Sequence, residues 1–197
     1  MREDPQFSIV SRLLHWLMAA LVLAMLFIGV GMVSTVSERY RLLVSIHEPM
    51  GMAILVLVVI RILNRLLSQP PLLPADMPQW QKFAAKLSHL VLYVLMLLLP
   101  LVGWAMLSAA RYPIMLFGGF VLPPILPHDA TLAAGLRRLH TWLALLLFAT
   151  FLAHLGAALF HRLIRRDGVF TSMMPWRARQ AASPAEAAEQ DEAATQA

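Results

Sequence analysis

Seven histidines occur in this 197-residue sequence, and five of them, His15, His47, His89, His140 and His154, fall inside or at the ends of long apolar stretches. His140 and His154 are fourteen residues apart, close to four whole turns of α-helix, so both imidazoles leave the same face about 21 Å apart along the axis. That spacing suits one ligand near each side of a bilayer whose apolar core is about 30 Å thick. Ionisable side chains are expensive to insert within a membrane span, so a functional role is the default reading. Pairs of neutral imidazoles in a dry, helix-lined slot are suited to the two axial positions of a haem iron. With both positions filled the metal has no open site for oxygen activation, and electron transfer is the chemistry that remains.

The elements that position these residues follow from composition. Hydrophobic residues make up 59% of the chain and charged residues 14%, and the mean hydropathy is +0.69. Four apolar runs reach the roughly 20 residues a span requires: Leu13–Val33, Pro49–Leu67, Phe83–Leu107 and Leu139–Leu163. The first has Arg2 and Arg12 before it but lacks a small-residue cleavage site and carries His15, so it is read as a retained helix rather than a signal. Short connections make sequential helices neighbours, which predicts an all-α membrane protein, an up-down bundle of four transmembrane helices. Residues 1–177 form this domain, and the alanine-rich acidic segment 178–197 is expected to be a disordered cytoplasmic tail.

Charge sets the orientation. One side of the membrane receives Arg2, Arg12, Arg61, Arg65, Lys82, Lys86, Arg162, Arg165, Arg166, Arg177 and Arg179; the other receives only Arg39, Arg41, Arg111, Arg137 and Arg138. The positive-inside rule then puts both termini in the cytoplasm. Because the formal charge of +5 comes from residues flanking spans, it argues for lipid and against nucleic acid as partner. The absence of cysteine excludes disulfides, cysteine-held iron–sulfur clusters and covalent haem attachment. A haem-free metal transporter would bring Asp or Glu well into the spans, and none lies there.

Depth sorts the histidines. His47 and His140 are the candidates at the outer level and pair by elimination, whereas His15, His89 and His154 compete for two inner places. His154 is favoured because it shares a face with His140. Pro100 predicts a kink in the third span, and Arg61 is expected to snorkel to the inner headgroups, with contact to a haem propionate as the alternative. Ser108–Arg138 is apolar yet broken by glycine and proline, so it is expected to cap the bundle at the outer interface; His128 within it is assigned no metal.

Four segments carry a family resemblance: RLLHWLMAALVL, IHEPMGMAILVLVVIRILNRL, KLSHLVLYVLMLLLPLVGWAM and LHTWLALLLFATFLAHLGAALFHRLIRRDGVFTSMMP. In order they resemble the four helices of bacterial cytochrome b561, a family related to the membrane cytochrome b subunits of nickel-iron hydrogenases, over about residues 8–175. The resemblance implies a di-haem b-type cytochrome of the bacterial inner membrane, with His15 and His154 on one haem, His47 and His140 on the other, and His89 a non-ligand. It also implies electron exchange between a periplasmic donor, superoxide in some members, and membrane quinone such as ubiquinone, an oxidoreductase activity of the superoxide:quinone type. Other members serve as anchor subunits relaying electrons for a partner dehydrogenase or hydrogenase. A quinone pocket is expected at the inner interface, where His161, two turns beyond His154, lies level with His89, Lys82, Lys86, Arg12 and Arg162. On the outer side Arg39, Arg41, Arg137 and Arg138 surround the outer histidines and could steer an anionic donor.

Overall fold

A computed structural model describes residues 7–68, 77–116, 119–167 and 169–174. Four long helices fill it: α1 (Ile9–Ser34), α2 (Glu38–Leu67), α3 (Gln79–Ala109) and α4 (Ala130–Phe160). The expected tail lies outside the described residues, as does most of the proline-rich inner connection.

Helices α1, α2 and α4 start where the sequence supplies a side-chain partner for the free amides of a first turn. The Ser8 hydroxyl accepts from the Ser11 amide, Ser37 from Arg39, and the Asp129 carboxylate from Leu132. Pro78, with no amide hydrogen to leave unpaired, precedes α3. At 26 to 31 residues the helices are about 39–46 Å long, more than the hydrocarbon core demands. The surplus corrects the loop boundaries read from hydropathy. The first outer connection shrinks to Thr35–Ser37, and the second to Ala110–Asp129. Arg39, Arg41, Arg137 and Arg138 therefore stand on helical turns, because polar capped turns continue a helix into the headgroup zone where hydropathy no longer signals it. Pro49 and Pro100 both lie inside helices, each removing one main-chain hydrogen bond.

Helix α1 packs on α2, α2 on α3, and α3 on α4. The buried core is a narrow layer of Val22, Ile54, Leu95, Leu99 and Leu147, one or two residues from each helix, flanked by Met25, Met96, Leu143 and Phe151. Most other apolar side chains, among them Phe27, Val56, Leu98 and Leu152, face outward, which suits a lipid solvent. Leu147 sits seven residues from both His140 and His154, and Val22 and Ile54 sit seven residues after His15 and His47. The apolar layer is thus the waist between two tiers of imidazoles.

On the side named outer from the charge pattern, the connection between α3 and α4 packs back on α3. Leu116 donates to Phe120 and Leu122 to Ile114, making a small hairpin with a β-bridge between Met115 and Val121. Arg111 ends α3 in the left-handed region (φ 60°), with the Tyr112 amide reaching back to the Leu107 carbonyl. The hairpin is tied to α3 by Trp104 Nε1, which donates to the Pro123 carbonyl, and by the Ser108 hydroxyl, which accepts from the Ile125 amide. His128 donates from Nδ1 to the Ala109 carbonyl (2.8 Å).

At its inner end α4 widens into a π-helical turn, His161–Arg165, that closes on Arg166 at φ 51°. The chain then turns back toward α1: Trp16 Nε1 donates to the Met173 carbonyl (2.7 Å) and Arg12 Nη1 to that of Met174 (3.0 Å).

Candidate functional site

In the outer tier, the His47 and His140 rings have centroids 6.2 Å apart at an interplanar angle of 65°. Both Nδ1 atoms are buried; that of His47 has no hydrogen-bond partner among the described residues, and His140 has the Leu99 carbonyl as its backbone partner. His140 reaches this position by lying against the α3 backbone: a Cβ built on Gly103 would stand 3.4 Å from its Cε1 and 3.6 Å from its Nδ1.

In the inner tier, His15 and His154 have centroids 6.4 Å apart at 75°. His89 lies on the other side of His154 at 5.2 Å and 68°, with the Ala85 carbonyl one turn earlier as its backbone partner. Two imidazoles bound on opposite sides of one six-coordinate metal, each nitrogen about 2.0 Å away, have ring centres about 6.3 Å apart. His47–His140 and His15–His154 fall within 0.1 Å of that value, whereas His89–His154 is about an ångström short of it. Each fitting pair joins α4 to a helix it does not pack against closely, α2 outside and α1 inside. The donor set is neutral nitrogen, paired rather than clustered, and among the described residues no three His, Asp or Glu side chains converge on a bare metal ion. These residues fit a haem.

Arg61 departs from its expected place. Rather than snorkelling, it turns into the bundle: Nε donates to the Tyr93 hydroxyl (3.0 Å), Nη1 to the Ser11 carbonyl (3.2 Å), and Nη2 lies 3.3 Å from His15 Nδ1. Asn64 Nδ2 donates to the Ser11 hydroxyl (2.7 Å). An arginine in an apolar run one turn before an asparagine, facing a serine and a tyrosine on neighbouring helices, is the pattern that signals an inward side chain. The single-helix view does not reveal it.

Of the inner candidates, His161 is held by Asp167, with Nδ1 2.6 Å from Oδ2, and Arg165 Nε stands 3.3 Å from the same oxygen. Arg165 also donates to Gln81 of α3 (2.7 Å). His161 and Arg162 line a cavity of about 390 Å³ with Leu163, Arg166, Phe170 and Thr171. Lys86 is exposed and Lys82 partly so, and neither lines that cavity, nor does His89. Asp167 escaped the sequence reading because a six-residue spacing is not a helical contact; it needs the left-handed turn at Arg166. On the outer side Arg39, Arg41, Arg137 and Arg138 are all exposed, and Arg41 stands 3.9 Å from Glu38.

Four apolar helices bringing imidazoles together in pairs define the class: a membrane cytochrome. The sequence pattern of prokaryotic cytochrome b561 matches residues 6–176, and the chain belongs to that family. It is 31% identical over 172 residues to cytochrome b561 homolog 2 of Escherichia coli (strain K12), covering 86% of this chain and 91% of that protein. To cytochrome b561 homolog 1 of the same organism it is 32% identical over 176 residues, covering 87% and 98%. A probable superoxide oxidase CybB of Yersinia pestis is 34% identical over 131 residues, 66% of this chain and 73% of that protein. The protein is thus a multi-pass bacterial membrane cytochrome that binds haem b and works in electron transfer.

Proposed function

We propose that the protein holds two b haems, one per histidine tier, and carries electrons across the inner membrane from a periplasmic donor to ubiquinone. The observation that carries this reading is the spacing of both ring pairs, 6.2 and 6.4 Å, which would suit two imidazoles holding one haem. His47 and His140 would hold the outer haem, His15 and His154 the inner one. The haem would supply one-electron exchange; the chain supplies position, charge and protons.

The rest of the chain's part falls to residues at the two ends. Helix-borne Arg39, Arg41, Arg137 and Arg138 make the outer end cationic, which favours an anionic donor. The similarity to a probable superoxide oxidase makes superoxide the donor of choice. Two superoxide anions each give up one electron and leave as dioxygen, and one quinone takes both electrons and two protons to become quinol. At the inner end the cavity beside His161 is large enough for a quinone ring. Asp167 fixes the His161 Nδ1 proton, which leaves Nε2 to exchange a proton with a quinone oxygen while the carboxylate balances the charge. Arg162 lines the same cavity. Lys82, Lys86 and His89 take no place in it. The positive-inside asymmetry supports cytoplasmic termini.

A second reading rests on the outer hairpin. Tyr112, Met115 and Phe120 are 66%, 58% and 62% exposed, an apolar face on which a periplasmic dehydrogenase or hydrogenase could dock if the chain were its anchor subunit. Pyridine haemochrome analysis of the purified protein, followed by mixing with superoxide, ubiquinol and ascorbate in turn, tests the proposal. It expects two haems per chain reduced rapidly by superoxide. One haem or none refutes the relay, and a stoichiometric soluble partner at native expression favours the anchor reading.

A further inference from the structure

Arg61 presents an electrostatic problem that its neighbours do not solve. Its guanidinium lies inside an apolar span, and its partners, the Tyr93 hydroxyl, the Ser11 carbonyl and the His15 ring, are all neutral. No carboxylate pairs with it among the described residues. Charges in such a setting are paired or face a polar cavity. A cavity is present: a space of about 50 Å³ where α1, α2 and α3 meet, lined by Arg61, Arg65, Asn64, Ser8, Ser11 and Tyr93 among others. It holds donors in excess and is the size of one carboxylate or a water or two.

The contact with His15 sharpens the point. A guanidinium only donates, so at 3.3 Å from Arg61 Nη2 the His15 Nδ1 acts as acceptor and the ring hydrogen sits on Nε2. A neutral imidazole that binds a metal through Nε2 carries its hydrogen on Nδ1 instead. In that state Nη2 of Arg61 loses its acceptor and needs another. A carboxylate in the adjoining cavity provides it and neutralises the charge in one move, as a charge-assisted hydrogen bond.

We propose that this cavity is an anion seat for a carboxylate, that Arg61 is its counter-charge, and that the occupant is a propionate of the inner haem. The inference rests on the reading that His15 and His154 hold a haem. It goes further in making Arg61 a positioning residue that ties that haem to α2 and favours its reduced form.

The test uses the whole detergent-purified cytochrome, made in cells fed a haem precursor carrying carbon-13 at the carboxylates. Infrared difference spectra on reduction are read beside a spectral redox titration. In Arg61→Gln a labelled carboxylate band shifts and one midpoint falls, and the haem concerned is the one that His15→Ala removes. Arg61→Lys, which keeps the charge, restores most of the midpoint. Should Arg61→Gln fail to accumulate, Arg61→Lys and Asn64→Ala report on the same band. Unmoved labelled bands with both midpoints at wild-type values overturn the proposal. A midpoint that follows added inorganic phosphate or phosphatidylglycerol vesicles, with labelled bands unchanged, overturns it too and gives the seat to a phosphate. If His15→Ala loses no haem, the underlying ligand reading fails, a result distinct from either.

Discussion

The rings of His89 and His154 approach to 5.2 Å, closer than His154 comes to any other histidine in the structure. At that separation two imidazoles do not stand on opposite sides of one metal at ordinary bond lengths, so under the proposed reading proximity does not choose the inner ligands. His89→Ala is therefore expected to keep two haems per chain by pyridine haemochrome assay, with a perturbed inner spectrum. His15→Ala is expected to keep one. A His89→Ala protein with a single haem would exchange their roles.

Gly103 sets how near His140 can come to α3. A methyl at that position would meet the ring at 3.4 Å, a contact a small shift of the imidazole relieves, so Gly103→Ala should leave both haems bound with one midpoint altered. The branched side chain of Gly103→Val adds atoms on the ring itself. Its expected outcome is loss of the outer haem with the inner retained, read from haem content and redox titration. Two haems with wild-type midpoints in the valine variant would contradict this packing argument.

Asp167 is the partner that orients His161. If proton exchange with quinone passes through His161, His161→Ala should slow quinol-driven haem reduction by about 100-fold, the lower end of what a positioned acid–base group contributes. Asp167→Asn should slow it less, since the ring stays but loses its charge balance. Stopped-flow spectra with both haems bound decide the matter, and a wild-type rate in His161→Ala removes the residue from the site.

The outer arginines act at a distance, so salt is their probe. Reduction by superoxide should slow as ionic strength rises, because screening at about 0.15 M already acts beyond about 8 Å. Neutralising Arg137 and Arg138 together should slow it further with haem content unchanged. A rate indifferent to both would turn attention to a protein donor or quinol.

The fourteen-residue interval on α4 was enough to foresee two tiers, because a helix converts sequence spacing into depth without help from the rest of the fold. The pairing of His47 with His140 followed from depth alone. Choosing between His15 and His89 did not, since both stand at the same level and only the packing of α1 and α3 around α4 separates 6.4 from 5.2 Å. The choice between the two readings of Arg61 was open for a related reason: hydropathy reports that a cation lies near a span end, not which way it faces, and its three partners come from two other helices. The His161–Asp167 pair was invisible because it depends on a left-handed arginine after a π turn, a conformation composition does not announce.

The return of the chain to α1 has a consequence for the order of biosynthesis. Trp16 and Arg12 bond carbonyls 157 and 162 residues further along. At roughly 5–20 residues per second, α1 waits on the order of 10–30 s for the segment that covers its inner end. The fastenings of Arg12 and Trp16 are therefore the last of the described contacts of α1 to become possible, after all four helices of the bundle have been made.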